Sequence, residues 1–358
     1  MWQRVLDWFL ADAGKAHVRA LDGLRGLAVL IVIGSHLSNA GWLPWPNLAG
    51  TGKAGVYLFF VLSAYLLSSA MLATSASLTT PRYWLNYALR RVLRIWPLFL
   101  FILLSSWVLT RAGVTAWHYQ LDGAALGAHL LLEQGQSVLW SIPVEFTFYL
   151  WLPFIVLALR AVLPLPGGRW LGVAVLLVLL LWVRWRWPAA HALSNGVALG
   201  PYLPVFLCGV AAAWVQHCWP QLRAWRRGWQ CLPWLLAPLL VLVTPSLWAV
   251  LHGAALQPEL NHRWFTLWGL GWGLLLLAVL WGSGWPTRLF ASAPMRLVGV
   301  VSFSIYLWHM PVLQAADVLG LRGWGVPGLV LTLAAVLLVA MGSYLLFERP
   351  WRNVRLPR

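Results

Sequence analysis

The chain has 358 residues, of which 61% are hydrophobic and 9% charged, and its formal net charge is +16. So much apolar surface cannot be hidden in a soluble core, which excludes a water-soluble globular protein and makes lipid the solvent. The basic residues lie in short loops between apolar runs, where membrane topology accounts for them, so nucleic acid is not expected as a partner.

Residues 1–20 carry Arg4, Asp7, Asp12, Lys15 and Arg19 and lack a continuous apolar run. That argues against a cleavable signal peptide and for a short interfacial helix with Trp2, Leu6, Phe9 and Leu10 on one side. Apolar stretches follow at about 21–39, 54–73, 91–110, 139–160, 169–187, 200–217, 231–250, 264–283, 296–318 and 326–347. Their lengths predict an all-α, polytopic membrane protein of about ten helices, organised as one membrane domain with a basic tail over 348–358. Prolines 201, 204, 233, 238 and 245 interrupt or flank the middle helices. With the N-terminus inside, eighteen Lys and Arg residues fall on the cytoplasmic side and six outside, which predicts that both termini are cytoplasmic.

The first apolar stretch holds Arg25 and His36, eleven positions apart. At 100° per residue they share one helix face, about 16 Å apart along the axis. Ionisable groups at membrane depth are costly and ordinarily face a protein interior or a watery cavity, so the pair marks a functional face. The third stretch is entered by RRVLRIWP, in which Arg90, Arg91 and Arg94 are spaced to share a face and suit phosphate binding. As a bland competitor, such a cluster simply fixes topology. The connection 111–138 holds His118, His129 and Glu133, read as interfacial polar residues because no tight ligand spacing is present; no metal is expected. Cys208, Cys218 and Cys231 likewise form no ligand cluster.

In WSIPVEFTFYL, Ser141 and Glu145 are four apart and share a face near the outer end of their helix. In SFSIYLWHMP, His309 lies in the outer part of the ninth helix. Two histidines and a carboxylate at similar outer depth could deprotonate a hydroxyl. Glu145 as a structural partner and His309 as a satisfied interior imidazole are the competing readings.

Taken in order, these motifs resemble the acyltransferase-3 family of bacterial membrane O-acyltransferases. LDGLRGLA with His36, FFVLSAY (Phe59 to Tyr65), RRVLRIWP, WSIPVEFTFYL, SFSIYLWHMP and FERPWR each resemble a family element. Pro143, Phe146 and Phe303 depart from the usual pattern, leaving Glu145 as the only acid of its element. The chain ends at Arg358 soon after the last helix, so the resemblance is to the form without a C-terminal hydrolase-like domain.

The resemblance implies transfer of an acyl group, most often acetyl, from cytoplasmic acyl-CoA to a hydroxyl of a cell-envelope or exported glycan, in the bacterial cytoplasmic (inner) membrane. Arg90, Arg91 and Arg94 would hold the coenzyme A phosphates. Arg25 would neutralise phosphate or polarise the thioester, and His36 would act as general base or carry the acyl group transiently. Glu145, Ser141, His309, Ser63 and Tyr65 would orient these groups or bind the acceptor. The expected partners are membrane lipid, a glycan or lipid-linked glycan, and a separate extracytoplasmic transferase where the acceptor is not reached directly. A transporter or flippase of a lipid-linked glycan is the rival reading, since intramembrane His, Glu and Arg also build relay paths. A lipid-linked-sugar glycosyltransferase is weaker, because NAGWLPWPNLAGTGK has no acidic residue for a metal and phosphosugar.

Overall fold

The computed structural model describes residues 9, 19–43, 45, 47–74, 78, 80–189, 192, 194–257, 260–352 and 354. The expected interfacial helix over 1–20 and the basic tail fall largely outside them. Among the described residues all regular structure is helical. The principal helices are α1 (Arg19–Asn39), α2 (Gly52–Ala73), α3 (Pro81–Arg111), α4 (Gly123–Leu130), α5 (Ser141–Val162), α6 (Gly168–Arg186) and α7 (Leu203–Cys218). They are followed by α8 (Arg226–Leu242), α9 (Pro245–His252), α10 (Phe265–Trp281), α11 (Trp285–Phe290), α12 (Ala293–Val300), α13 (Ser302–Val318) and α14 (Val326–Ser343).

Every expected apolar stretch contains helix, but not every one is a straight span. Among the described residues, six helical stretches are long and apolar enough to cross a membrane, and two bent helix pairs bring the number to eight if each pair is one span. In one pair α8 and α9 meet at 64°, where Pro245 starts a new helix capped by the Thr244 side chain. In the other, the helix breaks at Val301. The stretches expected at 200–217 and 264–283 form helices of 16 and 17 residues, both shorter than those six, and the first is directly preceded by a 3-10 turn at Gly200–Tyr202.

Two compact units emerge, one of residues 1–73, 144–194 and 198–300, the other of 74–143, 195–197 and 301–358. In the first, α2 packs on α1, α7 and α10, and α1 packs on α11 and α12. Small residues allow this, as is usual where helices associate in lipid. A Cβ on Gly55 would lie 2.3 Å from the Ala28 carbonyl oxygen, and one on Gly209 2.4 Å from that of Val61, so α2 is held close on both sides. Phe206 of α7 stacks on Phe60 of α2 and Phe148 of α5 at 4.3 and 4.0 Å, filling the core between them.

In the second unit α13 packs on α14 and α3. The late sequence elements meet here: Ser304 donates to Glu348 across 2.5 Å, and Trp308 Nε1 donates to Ser343 Oγ across 3.0 Å. The Glu348 carboxylate of FERPWR therefore ties the π-helical turn after α14 to the start of α13.

Candidate functional site

Arg25 and His36 lie on one uninterrupted helix, as their spacing predicts. Both are half-buried. Asp22, one turn before Arg25, is 97% buried and stands between two guanidinium groups: Arg25 at 4.0 Å and Arg296 of α12 at 3.9 Å. Among the described residues, this carboxylate is shared by two cations. Glycines make the approach possible. A Cβ on Gly299 would fall 1.7 Å from the Asp22 carbonyl oxygen, and one on Gly26 2.6 Å from that of Met295. Arg25 is thus a member of an ionic cluster. Sequence reading passed over Asp22 and Arg296, although Asp22 sits three residues from Arg25 in the quoted motif, a spacing that pairs side chains on a helix.

His36 lies in the last turn of α1, against the start of α2. A Cβ on Gly52 would be 3.3 Å from Ser35 and 3.9 Å from His36 Nε2, so the start of α2 lies against the His36 turn. The next residue, Lys53, donates to His262 Nε2 across 2.6 Å. Asn261 donates to the Gly50 carbonyl across 2.6 Å, so the His36 end of the unit is ringed by polar groups.

Glu145 is placed otherwise than its sequence position suggests. Oε1 accepts from Ser63 across 2.5 Å and from the Tyr149 hydroxyl. Because α1 and α2 run antiparallel, Gly52 abuts His36 whereas Ser63 lies eleven residues further, about 16 Å along α2. Glu145 therefore stands near the depth of Arg25, not of His36, and its bonds go to Ser63 and Tyr149. The helix begins within two residues of the expected stretch, after a 3-10 turn at Ser137–Trp140; what the sequence did not show is its depth, which is set by the contact with α2. Tyr65 is hydrogen-bonded to Gln216 of α7.

The second unit holds the remaining expected residues. Ser141 donates to the Tyr306 hydroxyl across 2.9 Å, and Tyr306 in turn to the Val138 carbonyl across 2.6 Å, fixing the entry to α5. His309 is fully buried, and its Nδ1–H donates to the carbonyl of Tyr306 across 2.7 Å; a carbonyl only accepts, so Nδ1 carries the proton. Arg90 and Arg94 are exposed and Arg91 half-buried. They do not open their helix: α3 starts ten residues earlier at Pro81, and its 31 residues exceed what a bilayer core needs. Polar side chains do not stop a helix that projects past the lipid, so hydropathy alone set its start too late.

His118 bridges Gln314 at 2.9 Å and Ser137 at 2.8 Å. His129 donates from Nδ1 to the Ala125 carbonyl and accepts at Nε2 from the Gln136 N–H, at 2.7 and 2.8 Å. Burial lowers both pKa values, with a smaller opposing contribution from Gln314 and from the Ala125 carbonyl respectively. Both therefore serve as neutral struts of the 111–138 connection.

The profile of a family described as an acyltransferase domain matches residues 18–348. BcsY of Komagataeibacter xylinus, named as a membrane-bound transacylase, is 27% identical, the match covering 97% of this chain and 86% of BcsY. The peptidoglycan O-acetyltransferase OatA of Listeria monocytogenes is 26% identical over 95% of this chain and 56% of its own length. The O-acetyltransferase OatA of Staphylococcus aureus is 25% identical over 94% of this chain and 57% of its own length. The chain thus spans a little over half of those two O-acetyltransferases. No solved structure matches it.

Proposed function

We propose that this chain, which belongs to the acyltransferase-3 family by its match over residues 18–348, transfers an acyl group from acyl-CoA to a glycan hydroxyl. Acetyl is the acyl group we favour, with acetyl-CoA as donor and a bacterial inner membrane as the setting. The observation that carries the reading is the contrast between two intramembrane histidines. His309 is fully buried in its own helix, whereas His36 is half-buried in the last turn of α1, beside Gly52 at the start of α2.

In the step proposed, the acceptor oxygen attacks the thioester carbonyl carbon, the C–O bond forms and the C–S bond breaks. His36 takes the hydroxyl proton, and the coenzyme A thiolate leaves and is protonated. Transient acylation of His36 is the two-step form of the same exchange. The positive cluster of Arg25 and Arg296 around Asp22 lies about three turns of α1 from His36, too far to touch the same carbonyl, and suits a phosphate of the donor instead. Arg90 and Arg94, one turn apart and exposed on α3, suit the phosphates of a cytoplasmic donor. Ser63 and Tyr149 hold Glu145 in place, which makes Glu145 a positioning residue. Ser141 and Tyr65 position their own helices in the same way. A separate extracytoplasmic transferase fits the reading where the glycan is not reached directly.

Expression with an ester readout on envelope glycans tests this. Alkali-labile ester that depends on His36 supports it; movement of intact glycan without new ester identifies a transporter instead.

A further inference from the structure

The connection 111–138 carries two side chains, His118 and Ser137, that the proposed reaction does not use. His118 Nε2 lies 2.8 Å from the Ser137 hydroxyl, and His118 Nδ1 lies 2.9 Å from Oε1 of Gln314 on α13. A carbonyl oxygen only accepts, so Nδ1 carries the proton and the lone pair of Nε2 accepts from the serine. A serine, an imidazole and a third group that fixes the imidazole tautomer are the parts of a serine nucleophile with its base, which is recognised by geometry and roles. All three belong to the second unit, and each is half-buried rather than sealed from the surface.

Two features exceed what a strut requires. Ser137 has a φ of 53°, in the left-handed region that residues with a side chain rarely adopt. Its neighbour Val138 is held in place, since the Val138 carbonyl accepts from the Tyr306 hydroxyl across 2.6 Å. His118 is held in the same way by Tyr119, whose hydroxyl donates to the Leu307 carbonyl across 2.9 Å. Tyr306, Leu307 and Gln314 all lie on α13, so one helix positions nucleophile, base and orienting group together. Burial also lowers the pKa of His118, against a smaller opposing effect of Gln314, and so keeps the imidazole neutral, as a base must be.

The geometry points to Ser137 as a second nucleophile of this chain, acting on carboxylic thioesters and esters, with His118 as its base and Gln314 as a positioning residue. Ser137 Oγ attacks the carbonyl carbon of the acyl donor, and a C–O bond forms as the bond from that carbon to the leaving sulfur or oxygen breaks. The serine proton passes to His118 Nε2 and from there to the leaving group. A glycan hydroxyl then attacks the acyl-serine and gives its proton to Nε2, and Ser137 Oγ leaves and takes that proton back. On the topology that the charge asymmetry predicts, α3 crosses outward and the connection lies outside, the side of an envelope glycan. The inference rests on the acyl-transfer reading for the source of its acyl group and adds an acyl-serine between donor and glycan.

The test is labelling of the full chain in nanodiscs with a biotinylated fluorophosphonate, which phosphonylates an activated serine with loss of fluoride and needs no acyl-CoA. Peptide mass spectrometry of the wild-type protein is expected to place the adduct on Ser137, and brief exposure to p-nitrophenyl acetate is expected to leave an acetyl group on the same residue. His118→Gln is expected to slow labelling by at least about a hundredfold, and Gln314→Ala to slow it less. No adduct on wild-type Ser137 overturns the inference, as does a labelling rate unchanged in His118→Gln, which would leave these contacts as struts alone. Where His118→Gln does not fold, the adduct on native wild-type Ser137 and its loss on denaturation decide the matter. Because the probe needs no donor, the two readings fail separately. His36-dependent ester without an adduct on Ser137 rejects the serine centre alone, and an adduct in a protein that makes no ester upholds it while rejecting transfer from acyl-CoA.

Discussion

The Ser63 hydroxyl donates to Oε1 of Glu145 across 2.5 Å and so ties the middle of α2 to the first turns of α5. Tyr149 donates to the same oxygen, so one carboxylate satisfies two hydroxyl groups. Glu145→Ala leaves both hydroxyls without that acceptor and is expected to cost about 1–3 kcal/mol, measured by thermal unfolding in detergent. Glu145→Gln keeps a carbonyl oxygen in place and should retain most of the stability and most of the activity. Loss of activity in a fully stable Glu145→Gln protein would show that the negative charge acts in the reaction itself.

The Asp22 cluster makes a different demand. Asp22→Asn removes the carboxylate that pairs with both Arg25 and Arg296 and is expected to destabilise the protein by about 2–3 kcal/mol. This is below the figure for a fully buried pair because the Arg25 side chain is 20% exposed. Adding Arg296→Gln should restore much of the loss, since it removes one of the two guanidinium groups. A double-mutant cycle in which the two costs simply add would show that the two residues are not coupled.

Close packing at Gly299 leaves no space for a side chain, since even a Cβ would fall 1.7 Å from backbone oxygen. Gly299→Ala is expected to cost more than about 3 kcal/mol or to abolish accumulation of folded protein. Gly323→Ala, at a position where a Cβ meets nothing within 4 Å, is the control and should be close to neutral.

Stability should also depend on pH through His118 and His129. Their pKa values are lowered from 6.5 by burial, so the unfolded chain binds protons more readily than the folded one. Stability is then level above about pH 6.5 and falls as the pH drops below it, until the folded-state pKa values are passed. Protonating His129 also removes the lone pair that accepts from the Gln136 N–H. Unfolding temperatures from pH 8 to pH 5 check this, and His129→Gln should flatten the lower part of the curve.

Much of this site could be read in the sequence where local periodicity decides it. Arg25 and His36 share a helix because nothing between them breaks one, and the apolar run around them continues to Asn39. The depth of Glu145 could not be read, because it is set by which residue of α2 faces α5, a long-range packing choice made through Ser63 and Phe148. The true start of α3 was hidden for a related reason: polar residues from Arg82 to Arg94 end a hydropathy signal without ending a helix. Asp22 was in plain view, but its role depends on Arg296, which lies far along the chain and reaches it only because Gly299 allows contact.

His36 is proposed to perform the proton transfer of an acyl exchange. Its most direct measurement is the ester content of envelope glycans from cells expressing either the wild-type chain or His36→Ala at equal membrane levels. The account predicts alkali-labile ester with the wild-type protein and a loss of at least about a hundredfold with the variant, the contribution expected of a positioned base. Unchanged ester content at equal protein level would contradict it.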